Sequence, residues 1–536
     1  MGAGVALGLL VPATAALAGP APQRTVRVRL AAGGNPNGPS TEPALSADAR
    51  HVAFTSAATN LTPQEDLNGS ARDVFVYDQG SGAVRLASRG PNHEPADAPS
   101  GQPVLNADGS HLAFASRATN LVADDRNGFA DVFLLLPDAT LVRASVTREG
   151  EEANGASGEP DLSEDGRLLV FTSRADNLVP GDTNNRDDVF VRDMTTGVIA
   201  LVSAGEGGSA AEGDSGSPAI SPDGRYVSFS SDAPDLAAGD DNGHGDVFLR
   251  DLRTGRTALV SIARGGGGAQ DRAMTDARAQ VSDVSRNGRF VVFESDATNL
   301  AGRDRNRRTD VFVRDLRHGA TRRVSVSTTN EEGSGPSFLP TITPDGRFVA
   351  FASRADDLVA EDARGIDVFV RDVGRETTVL AAVSARGRLR GRERAAPPPR
   401  RPSLSADGAT AAFASSASNL VGNDTNRAAD VFLRRLTPPA SATAERRVGL
   451  VDGRLLIVFR SNDRTPSPLQ CRLDDGPPTL CPLGGLLLPK LGRGTHVLRA
   501  LAGAPGAHYA RRPIVIRLTI GEGRPRARVQ NPSDRL

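Results

Sequence analysis

One segment, PDLSEDGRLLVFTSRADNLVPGDTNNRDDVFVRDMTTGVIALVS from Pro160 to Ser203, recurs along the chain. This repetition constrains the fold more than any local propensity. Related segments open at Pro43, Pro103, Pro218, Ser282, Pro340 and Pro402, giving seven copies. Each copy parses as four short strands. A brief apolar segment leads into an Asp-Gly or Asn-Gly turn, a strong hairpin signal. A second strand such as GRLLVFTS, apolar on both faces, runs into a polar loop. The third strand, DVFVRD or DVFLRD, starts at Asp188, Asp246, Asp310 and Asp367, and a tight turn such as MTTG leads to the fourth. Strands apolar on both faces need cover on both sides. A ring of four-stranded blades supplies that cover, because each blade lies between two others.

The ends of the array test closure independently. The seventh copy runs through DVFLRRL (Asp430 to Leu436) and meets TPPASA, so it lacks a fourth strand. Ahead of the first copy, RTVRVRLAAGGNPNGPSTEP (Arg24 to Pro43) matches TRRVSVSTTNEEGSGPSFLP (Thr321 to Pro340), the fourth strand and exit loop of an inner copy. The N-terminal strand is therefore expected to complete the seventh blade, which removes exposed sheet edges. The predicted fold is all-β: a seven-bladed β-propeller closed by an N-terminal strand, followed by a small C-terminal module.

The pattern LSxDGRxVAFxSxAxNL…DVFVRDxxTG resembles the WD-repeat-like propeller repeats of exported bacterial proteins, the TolB-like group, over Arg24 to Leu436. The resemblance implies a propeller and a binding-protein habit. TolB-like propellers carry six blades and an N-terminal α/β domain, whereas seven repeats and no such domain are read here. A role in a Tol complex is therefore not carried over.

Composition sharpens the class. Aromatics at 4%, with 57 Gly and 36 Pro, suit many short strands joined by turns rather than long helices. A formal net charge of −1 gives no global field to draw the chain to nucleic acid or a membrane surface. No segment after the N-terminus is long and apolar enough to span a bilayer. The first residues, an apolar stretch ending at Ala16-Leu17-Ala18, read as a signal peptide over 1–18, without the usual positive n-region. A secreted or cell-envelope protein, monomeric, is the expectation.

After a linker at 437–443 the pattern changes. The order Cys471, Leu-Asp-Asp-Gly, Cys481, then Gly-Thr-His-Val-Leu-Arg-Ala resembles bacterial immunoglobulin-like modules, which implies an Ig-like β-sandwich over 444–520. In an exported protein so close a cysteine pair is expected to form a disulfide. The polar, basic stretch 521–536 reads as a disordered tail.

Candidate site residues gather in the loops after the second strands. Asp182, Asn184 and Asp188 recur as Asp125/Asn127/Asp131, Asp240/Asn242/Asp246, Asp304/Asn306/Asp310 and Asp424/Asn426/Asp430. The first copy has Asp66, Asn68 and Asp73; the sixth breaks down to Asp362, Arg364 and Asp367. Clustered oxygen donors suit calcium, the one cofactor this chain suggests. The same residues also suit Asx-turns and loop capping, with the Asp before Val-Phe pinning strand three. An EF-hand-type loop would want an oxygen ligand where Arg186 stands. Both readings stay open here.

No catalytic set is legible: there is no H-E-x-x-H, G-x-S-x-G or P-loop, and His93, His244, His318 and His496 are scattered. The basic run Ala385 to Arg401 lengthens one interblade loop. These features favour a non-catalytic binding or scaffold protein that engages a protein or polysaccharide through its long-loop face. The alternative is a glycan hydrolase or lyase using loop acids such as Asp97, Asp214 and Asp271.

Overall fold

The computed structural model describes residues 25–28, 34–62, 68–205, 207–264, 282–359, 365–383 and 401–436, and beyond them 442–451, 454–461, 469–474, 479–481, 486–488, 494–502, 514–520 and 526–530. The chain divides into two compact units, one spanning 24–436 and one containing the residues from 437 onward. Strands are numbered in chain order from β1 (Thr25–Arg27) to β36 (Arg526–Gln530).

The first unit is a propeller of seven antiparallel four-stranded sheets. Blade 3 is representative, with Ser157–Leu162 innermost, then Leu168–Ser173, Asp188–Asp193 and Ile199–Leu201 outermost. Blade 7 takes its fourth strand from the chain's N-terminal end. β1 pairs with β28 (Asp430–Arg435), with Thr25 opposite Arg434, Val26 opposite Leu433 and Arg27 opposite Phe432. The closure expected from the displaced repeat is present.

The DVFV motif explains how blades stack. In blade 1, Phe54 and Phe75 cluster with Ala412, Val431 and Leu433 of blade 7. Ala53, Val74 and Val76, on the opposite face, cluster with Leu112, Phe114 and Phe133 of blade 2. Alternate residues of one strand thus serve two interblade cores. Every blade repeats the same cross-strand phenylalanine pair, from Phe54–Phe75 to Phe413–Phe432, with ring centroids 5.8 to 5.9 Å apart. Offset stacks of this kind add to area burial. The arginine of DVFVRD reaches back to the preceding blade: Arg192 Nη1 donates to Val146 O and Arg371 Nη1 to Ser327 O.

The Asp-Gly turns do two jobs. Gly408 has φ +66°, and a Cβ there would stand 2.3 Å from Phe348 of the preceding blade. Only glycine combines that backbone with that approach. Neighbouring turns also join by backbone hydrogen bonds around the axis. Ala406 N donates to Ala47 O (2.9 Å), Ala47 N to Ala107 O (2.8 Å), Ala107 N to Glu164 O (3.1 Å), Glu164 N to Pro222 O (3.0 Å) and Arg286 N to Pro344 O (2.9 Å). Pro222 and Pro344 have no N–H to continue the chain of bonds.

The C-terminal unit contains a three-stranded and a five-stranded antiparallel sheet. Cys471 lies opposite Thr479 and Cys481 opposite Leu469, so the two cysteines sit diagonally on adjacent strands; their side chains lie outside the described residues. One expectation is corrected. Arg526–Gln530, assigned by composition to a disordered tail, pairs with Ile514–Ile520 as an edge strand. Its alternation, RARVQ, is a two-residue period that polar composition masked.

Candidate functional site

The Asp/Asn loops share one construction, seen in full in blade 3. Asp188 opens strand three and is fully buried. Its Oδ1 accepts from Ser203 Oγ at 2.5 Å, while Oδ2 accepts from Asn184 Nδ2 at 2.7 Å. Asn184 Nδ2 also donates to Ala211 O (2.8 Å), in the loop entering the next blade, and its Oδ1 accepts from Arg186 N. The same link to a carbonyl of the following loop is made by Asn68 to Ala96, Asn127 to Ala153, Asn306 to Gly333 and Asn426 to Pro36. Asn242 donates to Asp246, whose other oxygen accepts from Ser261. These asparagines spend their side chains on loop architecture, and the strand-opening aspartates pin it.

The first acid of each loop behaves differently from blade to blade, and a residue on strand four decides how. The position opposite the strand-three phenylalanine is Arg143 in blade 2, Arg323 in blade 5 and Arg27 in blade 7; it is Leu201 in blade 3 and Leu259 in blade 4. Arg143 Nη1 lies 3.5 Å from Asp125, 3.4 Å from Asp131 and 2.5 Å from Glu152. Arg323 reaches Asp310 (3.1 Å) and Glu332 (2.7 Å). In that blade Asp304, Asp310 and Glu332 bring carboxylate oxygens within 4.8 Å of one another, the one such trio of acidic or metal-ligating side chains among the described residues, and the guanidinium lies against it. Arg27 reaches Asp424 (3.2 Å) and Asp430 (3.1 Å).

Blade 3 has no arginine at that position. Asp182 is 4% exposed, and neither of its carboxylate oxygens has a well-formed hydrogen bond. Burial pushes its pKa up, and the nearby Asn184 amide opposes this only in part. Asp188 is pushed up to about 6, first by burial and further by Asp182 and Asp214. In blade 4, burial and then Asp246 push Asp240 up to about 6. Sequence reasoning listed the acids and missed the arginines. The signal was present as an Arg/Leu alternation at one place in strand four, LVRASV against IALVSA.

A second cluster lines the channel. One inner-strand position carries Ala44, Val104, Asp161, Ala219, Asp283, Thr341 and Ser403 around the ring. Asp161 Oδ2 accepts from Ile220 N (2.8 Å), and Asp283 Oδ2 from Ile342 N (3.0 Å) and Thr341 Oγ1 (2.8 Å). Ser403 Oγ accepts from Leu45 N (3.0 Å). Each links its blade to the next. Arg401 Nη2 stands 3.2 Å from Asp283 Oδ2 and donates to Ser282 O. Asp161 is partly exposed at the channel but ringed by protein. That desolvation, then Asp283, pushes its carboxyl up to about 7 against the Ile220 amide and Arg401.

Of the remaining candidates, Asp97 accepts from the amide and hydroxyl of Thr119, and Asp214 accepts from Asp187 N. His244 donates its amide to Asn242, and His318 pairs with Asp315 at 2.8 Å. Asp66, Asp271, Asp362, Arg364 and residues 385–400 of the basic run lie outside the described residues, as does the His496 side chain. Phe129, 43% exposed, stands on the long-loop face of blade 2. Arg303, Arg305, Arg307 and Arg308 are exposed on that of blade 5. A cleft of about 490 Å3 between blades 5 and 6 is lined by Arg303, Arg305, Arg322, Arg371, Glu331 and Glu376, among others.

No family model matches the chain, and no curated protein matches it. Solved structures do. TolB from Acinetobacter baumannii is 13% identical over 68% of this chain and 76% of its own, with a TM-score of 0.35. Oligogalacturonate lyase from Vibrio parahaemolyticus is 10% identical over 77% and 93%, with a TM-score of 0.43. The β-propeller domain of the trilobed protease from Pyrococcus furiosus is 10% identical over 75% and 96%, with a TM-score of 0.44. The seven blades rest on the chain's own strand pairing.

Proposed function

We propose that this chain is an exported, non-catalytic binding or scaffold protein whose long-loop face engages a protein or polysaccharide. The observation that carries the reading is the asparagine link repeated in five blades, from Asn68 to Asn426. It commits the loop polar groups to holding the loops still, so exposed side chains stand on a preorganised surface. Phe129 and the blade 5 arginines are the contacts offered. The leader ending at Ala18 supports export, and the C-terminal sheets serve as an Ig-like spacer stapled by Cys471 and Cys481. Among the described residues no helix is long and apolar enough to cross a membrane.

The test is a binding screen of the full chain against envelope proteins and neutral and anionic polysaccharides. Phe129→Ala and Arg305→Glu should each weaken the captured ligand about tenfold or more, which is about 1.4 kcal/mol. Val198→Ala, on the opposite face, should not. The reverse pattern rejects the reading.

The Asp161–Asp283–Arg401 cluster supports a second reading, a hydrolase or lyase in which Asp161, poised near neutral pH, transfers a proton. Turnover of any glycan in that panel, lost in a folded Asp161→Asn variant, would favour it over the first.

A further inference from the structure

Blades 2, 3, 4, 5 and 7 carry the same acid pair, its strand-opening member buried, and three of them set an arginine against it while blades 3 and 4 do not. The guanidinium of Arg143 or Arg27 meets both acids of its pair and that of Arg323 meets Asp310, and each arginine side chain is no more than 10% exposed. A second companion, in the loop that follows strand four, goes with it. Five residues before the next inner strand, blade 2 has Glu152 and blade 5 has Glu332, each bonded to its arginine. At the corresponding place, Asn35 accepts from Arg27. Blade 3 changes both residues together. Leu201 replaces the arginine and packs on the hydrophobic core, and Ala210 replaces the glutamate, bridging Ala204.

The acids of blade 3 did not change. Asp182 and Asp188 remain, 4% and 0% exposed. Asp182 corresponds to Asp125 and Asp424, the residues that meet Arg143 and Arg27 in blades 2 and 7. Both of its oxygens are buried without a well-formed hydrogen bond. Asp176 adds negative charge near Asp182 and Asp214 near Asp188, and Arg186, about half exposed, makes its ion pair with Asp214 rather than with Asp182. Leaving a buried carboxylate beside others without a counter-charge is strongly unfavourable.

We propose that blade 3 holds a hard divalent cation, of the calcium class, in the place that an arginine guanidinium occupies in blades 2, 5 and 7. Asp182 supplies the principal ligand and Asp188 Oδ2 the second, while Asn184 and Ser203 orient Asp188 and do not ligate. Oxygen-only donors select calcium over softer metals. A cation and an arginine are alternative solutions to one electrostatic problem, and the repeat uses both.

The experiment uses the full chain, with calcium chloride, magnesium chloride and zinc chloride as probes in calorimetric titration and thermal melts. Calcium at a hundredfold over its Kd should raise the propeller's Tm by about 3 °C over chelator. Asp182→Asn should abolish both the heat and the shift. Leu201→Arg with Ala210→Glu rebuilds the blade 2 solution, so this variant should fold without calcium and melt at the same temperature in chelator and in calcium. It keeps the proposal testable should Asp182→Asn fail to fold. No heat and no shift in the wild type up to millimolar calcium overturns the proposal. So does a full calcium response in either variant, or displacement of calcium by equimolar zinc.

Discussion

Arg27, on the strand that opens the propeller, places Nη1 3.1 Å from Oδ2 of Asp430, on the strand that closes it. The contact spans the whole array and sits beside the β1–β28 pairing. Its side chain is 7% exposed, and it also serves Asp424 at 3.2 Å. Removing one partner of a buried pair leaves an uncompensated charge, which costs about 3–5 kcal/mol. Arg27→Ala should lower stability by that amount in urea denaturation. A loss below about 1 kcal/mol would show that backbone pairing alone closes the ring.

The phenylalanine stacks should behave as seven copies of one part. Phe171 and Phe351 are both fully buried, with stacking distances of 5.8 and 5.9 Å to their partners. Truncating either to alanine should cost about 3–5 kcal/mol. The two losses should agree within about 1 kcal/mol; unequal blades would give unequal losses in the same melts.

Gly408 answers a narrower question. Its φ of +66° and the 2.3 Å approach to Phe348 both oppose a side chain. Gly408→Ala should destabilise by at least about 2 kcal/mol, from backbone strain and overpacking together. Gly422, with nothing within 4 Å and no positive φ, is the control. Gly422→Ala should stay within about 1 kcal/mol of wild type.

The pH profile follows from carboxylates that titrate high in the folded chain. Burial, acting first, pushes Asp161 and Asp310 up to about 7 and Asp430 up to about 6. At Asp310 the nearby Glu332 and Asp304 add to the burial, and Arg323, which pairs with Asp310 and Glu332, opposes it. An unfolded aspartate titrates near pH 3.9. Between about pH 4 and 7 the folded state therefore binds more protons, and stability rises as pH falls through that window. Asp193 and Asp251, held at about 2 chiefly by Arg167 and Arg225, act the other way, and only below about pH 4. Urea midpoints should be higher at pH 5 than at pH 8 and fall again in stronger acid. A profile that rises from pH 5 to 8 would contradict these assignments.

The blade count, the strand order and the borrowed strand of blade 7 were legible because they depend on periodicity, and periodicity is a property of the chain itself. Two-faced apolar strands and Asp-Gly turns leave few architectures that cover every face. The candidate site was legible only as an inventory. Asp182 and Asp424 look alike in sequence, but one loop meets Arg27 across the closure and the other faces Leu201. That difference exists only once strand four lies beside strand three, because charge is felt through space and not along the chain. Asp161 and Asp283 were hidden for the same reason. They are 122 residues apart and become neighbours only when the ring brings inner strands to one axis. The chain's repeats determined the ring; tertiary packing decided which of its acids meet an arginine and which do not.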